Sequence, residues 1–199
     1  MSNEIKYGLI CEDLPQRIFV EKILSAIVLK LNSSKVFVEE ESFKRKFGGA
    51  SVNRRTVERT FVDACLQANS KYNLDVCFVG IDLDDFQKKN FTNKQNELRN
   101  KLPEKLKDFA IIFIPVQCVE HWLWHIQLHH ENPTSTKNEQ IETQTRQQAK
   151  LQIHNSKKII DKEKINTLLA NVDLERLCSR SFSFNHFYEL VKEYLKKVS

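Results

Sequence analysis

Residues 76–86 read VCFVGIDLDDF, an apolar run that ends in three carboxylates within four positions. The run VCFVGI predicts a buried strand, because short apolar runs without charges are typical of strands covered on both faces. Asp82, Asp84 and Asp85 follow it directly. Since like charges this close repel one another, the stretch predicts a partner that offsets them: water, a basic side chain or a divalent metal.

Strand-like runs alternate with helical patterns on both sides of this stretch. IKYGLIC (5–11), KVFVEE (35–40) and FAIIFIPV (109–116) predict three further strands. Apolar residues recur at helical spacing between them, as in RIFVEKILSAIVLKL (17–31). This alternation predicts an α/β fold of Rossmann-like type, with a mostly parallel sheet flanked by helices. Sites in such sheets form beyond the carboxyl ends of the strands.

Composition divides the chain into three parts. Residues 1–130 carry the strand and helix alternation and predict the α/β core. Residues 131–157 are polar and rich in Gln, Thr and Asn, which predicts a mobile insertion with a solvated helix over TQTRQQAKLQ (143–152). Residues 158–199 show further helical patterns and predict a helical C-terminal extension that packs on the core.

The composition also favours a cytoplasmic protein that does not enter a membrane. No apolar run approaches the roughly 20 residues that span a bilayer. The N-terminus has no basic segment followed by a long apolar stretch, so it does not resemble a secretion signal. The five cysteines form no CxxC pair, which is typical of reduced thiols in a cytoplasm.

Basic residues cluster in FKRKFGGASVNRRTVER (43–59), in a chain whose net charge is +5. A basic surface near a group of acids suits a polyanion held beside a metal ion. The alternative is an ordinary solvated basic face. The candidates for nucleic-acid contact are Lys44, Arg45, Lys46, Arg54 and Arg55.

The carboxylates at two strand ends have the chemistry of a Mg²⁺ or Mn²⁺ site. Glu12 follows the first predicted strand, and Asp82 and Asp84 follow a later one. Magnesium prefers oxygen ligands and is commonly bound through a few carboxylates plus substrate phosphates. Side chains two positions apart share a side of an extended chain, so Asp82 and Asp84 can reach one ion. Asp85 points elsewhere, or joins as a ligand if a turn begins there.

Four stretches together resemble the Toprim family. LICEDLPQRIFVEKIL (9–24) and VGIDLDD (79–85) look like the Toprim domain, whose first strand ends in glutamate and whose later strand ends in DxD. PVQCVEHWLWHI (115–126) is similar to the segment after the fourth strand in small Toprim-type proteins of bacterial antiphage defence. RSFSFNHFYELV (180–191) resembles their closing helix.

The resemblance implies a nuclease that cleaves DNA or RNA, including tRNA, with Mg²⁺. It implies that Asp82 and Asp84 bind the metal, that Glu12 is an acid/base or a further metal ligand, and that Glu120 completes or supports the catalytic site. The alternative for Glu120 is a carboxylate at a helix N-terminus that the helix dipole favours. The resemblance also implies an ATPase partner from a defence system, since this sequence contains no GxxxxGK[ST] phosphate-binding loop. A homo-oligomer is compatible with this expectation.

The sequence departs from the Toprim pattern at two positions. Asp13 stands where Toprim domains more often carry glycine, and Gln16 stands where an aspartate is frequent. Neither departure removes a predicted ligand, but both leave a specialised or degenerate site open. The alternative function is therefore a non-catalytic Toprim-shaped subunit that binds nucleic acid or a partner protein.

Other patterns have simpler explanations. His121, His125 and His129 recur every four residues, as in some transition-metal sites, but no HExxH pattern accompanies them. Arg180 and His186 have the spacing of the HEPN ribonuclease motif, although the residues between them are typical of a core. A response-regulator receiver domain is disfavoured, because the fourth strand is not followed by its lysine.

Overall fold

The computed structural model describes residues 3–48, 53–136, 141–154 and 160–198. Their strands form a parallel sheet in the order β2-β1-β3-β4. The strands are β1 (Glu4–Cys11), β2 (Val36–Glu39), β3 (Val76–Gly80) and β4 (Ala110–Phe113). The predicted α/β class with a Rossmann-like parallel sheet is confirmed.

Helices connect the strands and make up the chain after β4. In chain order the described α-helices are α1 (Leu14–Lys30), α2 (Glu41–Phe47), α3 (Arg54–Ser70), α4 (Lys88–Lys101), α5 (Val119–Glu131), α6 (Arg146–His154), α7 (Lys162–Ala170), α8 (Leu174–Arg180) and α9 (Phe182–Val198). Short 3₁₀ turns occur at Glu104–Leu106 and Ile141–Thr143. None of these helices has the length and apolarity needed to cross a membrane.

The strand order places a switch point between β1 and β3. The chain passes from β1 to β2 on one side, whereas β3 pairs with β1 on the other side. Cys11 lies opposite Gly80 in the register, so Glu12 and Asp82 leave the sheet at the same edge. Doubly wound sheets bind ligands at this kind of switch point, beyond the strand carboxyl ends.

Each face of the sheet is covered by its own apolar core. On one face α1, α5 and α9 bring Phe19, Trp122 and Phe187 together, with the rings of Phe19 and Trp122 5.1 Å apart. On the other face α2 and α3 contribute Phe43 and Phe61. The buried side of α9 belongs to the first core and packs on β4, whereas α7 packs on α1 and α5, and α8 packs on α5 and α9.

The structure differs from the sequence expectation in the polar segment 131–157. The helix predicted there exists as α6, but one of its faces is buried, through Ala149, Ile153 and His154, while the opposite face is exposed. The inner face of α6 has only two apolar residues, one small and one branched, so the helix shows little hydrophobic periodicity. This is why the sequence pattern predicts a solvated helix. Residues 137–140 and 155–159 lie outside the described part of the chain.

Candidate functional site

Glu12 and Asp82 lie side by side just beyond the ends of β1 and β3. Glu12 Oε1 accepts a hydrogen bond from the backbone N–H of Asp82, with an N–O distance of 2.8 Å. Both residues are buried, with 7% of Glu12 and 0% of Asp82 exposed to solvent. The two strand ends therefore bring these acids together, as expected from a parallel sheet.

Gln16 and Asp13 hold this arrangement, although both depart from the Toprim pattern. Gln16 Oε1 accepts from the backbone N–H of Glu12 at 3.1 Å, and Gln16 Nε2 donates to Asp82 Oδ1 at 2.6 Å. Asp13 is the N-cap of α1, where its carboxylate accepts from the Gln16 backbone N–H at 3.1 Å. The fully buried Gln16 side chain thus bridges the two acids.

Two arginines supply the partner that the repulsion among the aspartates predicts. Arg146 from α6 places Nη2 3.0 Å from Asp82 Oδ2 and Nη1 against Asp84 Oδ1. Arg54, the first residue of α3, contributes Nη1 2.9 Å from Asp84 Oδ2. Asp84 has a φ of +57°, a left-handed conformation that aspartate tolerates better than most residues. Asp82 and Asp84 therefore share one guanidinium.

Glu120, in the first turn of α5, has a different partner. It is 0% exposed, and its Oε1 lies 3.1 Å from His154 Nε2 and 3.8 Å from Lys150 Nζ. Because His154 Nδ1 accepts from the backbone N–H of Asp161, the ring proton sits on Nε2 and is donated to Glu120. Burial alone would raise the pKa of Glu120, but the His154 hydrogen bond and the Lys150 charge hold it at about 2.

Three basic side chains of α6 form one stripe. Arg146, Lys150 and His154 are spaced by four residues, so they share the helix face that meets the carboxylates. Sequence reasoning missed these residues because the segment was taken as solvated. The signal that could have found them is the basic repeat at i, i+4 and i+8.

Burial also changes the charge of the carboxylates at the two strand ends. Removal from water raises the pKa of Glu12 to about 7, although the Asp82 backbone N–H and the Arg146 charge act in the opposite direction. The pKa of Asp82 is raised well above its usual value by burial and by the charges of Asp13 and Glu12. Perturbed carboxyl groups that converge in this way are typical of functional sites.

Asp85 turns away from this cluster, in contrast to its predicted role as a metal ligand. Its two carboxylate oxygens accept from the Gln87 backbone N–H and from Asn90 Nδ2, each at 2.7 Å. Those hydrogen bonds lower the pKa of Asp85 and hold its side chain at the start of α4. Asp85 therefore acts here as a turn and helix-start residue.

The predicted basic stretch is split between the site and the surface. We call Glu12, Asp82 and Asp84 the acid cluster. Of the five candidate basic residues, Arg54 contacts this cluster, through Asp84. Lys44 is held by Glu39, with an Nζ–Oε2 distance of 2.9 Å. The other three candidates are exposed: Arg45, Lys46 and Arg55.

The oxygen donors of the cluster match Mg²⁺ in type. Glu12, Asp82 and Asp84 offer only carboxylate oxygens, and buried Asp82 Oδ2 has no aligned hydrogen bond among the described residues despite its ion pair with Arg146. No group of three or more His, Cys, Asp or Glu side chains in residues 3–48, 53–136, 141–154 and 160–198 has ready metal-binding geometry. The donor set thus fits the ion, while Arg146 takes part of its coordination space.

Comparison of this chain with known protein families, curated proteins and solved structures found no match. The Toprim resemblance consequently depends on the short motifs and on the convergence of Glu12 with Asp82 and Asp84.

Proposed function

We propose that the chain is a Mg²⁺-dependent nuclease that hydrolyses phosphodiester bonds in DNA or RNA. The observation that carries the proposal is the contact between Glu12 and Asp82 at the switch point between β1 and β3. A buried acid pair has a desolvation cost, which a bound cation offsets. A parallel α/β sheet binds its ligands at this edge.

In this proposal each carboxylate has a separate role. Asp82 and Asp84 would hold the metal ion, which when bound would supply polarisation of a phosphoryl oxygen and charge to offset developing negative charge. Glu12 is the acid/base, and a pKa near 7 is suited to proton transfer at neutral pH. Glu120 stays ionised, since its pKa is held at about 2, and therefore orients His154 and Lys150 rather than moving a proton.

The cellular setting follows from the Toprim resemblance. We propose an effector of antiphage defence that works with a separate ATPase and acts on DNA or tRNA. We also propose a cytoplasmic location, because the five cysteines are free thiols, four of them buried.

One observation favours a second candidate function, a non-catalytic subunit that binds nucleic acid or a partner protein. Arg146 already pairs with both Asp82 and Asp84, and Arg54 pairs with Asp84 again. A carboxylate pair neutralised from within the chain needs no metal for stability. In that case the acid cluster is a structural joint between α6 and the sheet.

Metal binding and cleavage distinguish the two candidates. The purified chain is titrated with Mn²⁺ by calorimetry. Nicking of plasmid DNA and cleavage of tRNA are then measured with Mg²⁺, first with the chain alone and then with the separate ATPase proposed above. We expect Glu12→Gln to retain the fold and lower the cleavage rate by about 10²- to 10⁴-fold. Glu163→Gln, an exposed glutamate on α7, is the matched control and keeps the wild-type rate. Mn²⁺ binding without cleavage in any arrangement, or cleavage by Glu12→Gln at the wild-type rate, contradicts the nuclease proposal.

A further inference from the structure

A second cluster of basic side chains lies on α5 and α8, apart from the acid cluster. A cavity of about 50 Å³ is lined there by His125, His129, Arg176 and Arg180. This volume exceeds the space that one water molecule needs, yet is far below the roughly 300–1,000 Å³ of pockets for drug-sized ligands. The cavity therefore suits a few waters or one small polyatomic ion.

Several polar atoms of these lining residues are buried and unpaired. Arg180 Nε, His125 Nε2 and His129 Nδ1 have no hydrogen-bond partner within the described part of the chain. An arginine Nε always carries a hydrogen, so Arg180 presents an obligate charged donor. His125 is 8% exposed, so solvent at the surface does not satisfy its ring. Buried donors without acceptors are costly, and an acceptor inside the cavity removes that cost.

The two guanidinium groups are fixed in place by neutral oxygens. Arg176 Nη2 donates to the Ser135 carbonyl at 2.6 Å, and Arg180 Nη2 donates to the Thr136 carbonyl at 2.9 Å. Backbone carbonyls orient a guanidinium without cancelling its charge. Both arginines consequently keep a full positive charge beside the cavity.

Asp173, a carboxylate that approaches the cavity through its contact with His129, is already engaged. Asp173 caps α8 by accepting from the backbone N–H of Arg176 at 3.0 Å, and its other oxygen lies 3.4 Å from His129 Nε2. Burial, together with the charges of His121, Arg180 and Arg176, lowers the pKa of His125 to about 4. His125 is therefore neutral near pH 7 and can donate one hydrogen bond.

We propose that this cavity binds a tetrahedral oxyanion of the phosphate class, with Arg180, Arg176 and His125 as its donors. We call it the oxyanion cavity. Arginine suits phosphate because its planar fork of N–H groups matches two oxygens at once. Two sources share this chemistry: free inorganic phosphate and the terminal phosphate of a nucleic-acid strand. The inference is independent of the nuclease proposal, since no member of the acid cluster takes part.

Calorimetric titration of the full chain with inorganic phosphate, at constant ionic strength set with NaCl, tests the site. We expect saturable binding by the wild type and at least about ten-fold weaker binding by Arg180→Gln, equivalent to about 1.4 kcal/mol. Arg59→Gln removes an exposed arginine from α3 and is the matched control, with unchanged affinity expected. Equal phosphate affinity of the wild type and Arg180→Gln overturns the proposal.

A second readout uses the wild-type protein alone, in case Arg180→Gln does not fold. Phosphate is titrated while the imidazole nitrogen resonances are followed by NMR, with His125 assigned from His125→Gln. We expect the His125 resonance to shift with the calorimetric binding curve, whereas exposed His130 does not follow it. A His125 resonance that stays constant at saturating phosphate also overturns the proposal. Competition by a short oligonucleotide with a 5′-phosphate, but not by its unphosphorylated form, identifies a strand terminus as the source; competition by neither identifies free phosphate.

Discussion

The acid cluster and the oxyanion cavity differ in whether their charged side chains have charged partners within the chain. Asp82 of the acid cluster faces the Arg146 guanidinium, and buried Glu120 accepts from His154 with the Lys150 ammonium 3.8 Å away, all three partners on α6. In the oxyanion cavity, Arg176 and Arg180 face backbone carbonyls, which leave their charge uncancelled. The first region is balanced within the chain, whereas the arginines of the second have carbonyl partners and no ion pair among the described residues.

This difference determines what a ligand must do in each region. A metal ion that enters the acid cluster competes with Arg146 for Asp82 and Asp84. An oxyanion that enters the cavity replaces water and adds acceptors where donors are unpaired. Binding at the acid cluster should therefore respond to loss of an internal cation, and binding at the cavity to loss of a donor.

The largest effect is expected where the internal balance is most deeply buried. His154→Ala leaves Glu120 buried with Lys150 as its nearest cation at 3.8 Å. Removing the hydrogen-bond donor from a buried carboxylate leaves a charged acceptor unsatisfied, so we expect the free energy of unfolding to fall by about 3 kcal/mol. Urea unfolding measures the change. His130→Ala, at an exposed histidine of the same chain, should cost less than about 0.5 kcal/mol. Similar losses of unfolding free energy in both variants would mean that the hydrogen bond between His154 and Glu120 contributes no more than an exposed histidine does.

The same pair predicts a pH dependence with a definite sign. The pKa of Glu120 is about 2 in the folded chain and near 4.5 when unfolded, so its stabilising contribution is complete above the unfolded value. The contribution is lost as the pH falls through 4.5 toward 2. We expect the stability difference between wild type and Glu120→Gln to shrink by about 2 kcal/mol between about pH 6 and about pH 3. Urea unfolding of both proteins at each pH measures it, and a constant difference would mean that folding does not lower the pKa of Glu120.

The fold was predictable because its signals are local, whereas the charge balance depends on long-range contacts. The apolar runs before Glu12 and Asp82 predict strands, and parallel pairing then brings both acids to one edge. The partners of the acids are Arg146 and His154, more than sixty and thirty residues further along than Asp82 and Glu120 respectively. Neither hydrophobic pattern nor composition marks α6 as partly buried, because its inner face combines basic side chains with only two apolar ones, Ala149 and Ile153. The repeat of basic residues at i, i+4 and i+8 is the sequence feature that indicates that this face of α6 meets the carboxylates.

A smaller effect is expected from removing the guanidinium that Asp82 and Asp84 share. Arg146→Gln leaves the two carboxylates without their common cation, so a divalent ion meets less competition. We expect the Mn²⁺ affinity measured by calorimetry to rise about ten-fold, or about 1.4 kcal/mol. Arg59→Gln on α3 serves as the control and should bind Mn²⁺ as the wild type does. An unchanged affinity in Arg146→Gln would show that the metal, if bound, does not share the site with Arg146.

The smallest expected effect is a change in the salt dependence of DNA binding. It compares an arginine with ion pairs and one without on the predicted nucleic-acid surface. Arg54 is held by Asp84 and Glu58, at 2.9 and 3.1 Å, whereas neighbouring Arg55 is exposed and has no ion pair among the described residues. An arginine already neutralised by carboxylates releases few counterions from DNA, while a free one releases about one per phosphate contact. We therefore expect Arg55→Gln to reduce the slope of log affinity against log salt for duplex DNA by about 0.7 to 0.9. Arg54→Gln should change that slope less. Binding isotherms at several salt concentrations measure both slopes. A larger change in Arg54→Gln would mean that DNA displaces Asp84 and Glu58 from this arginine and that its internal ion pairs break on binding.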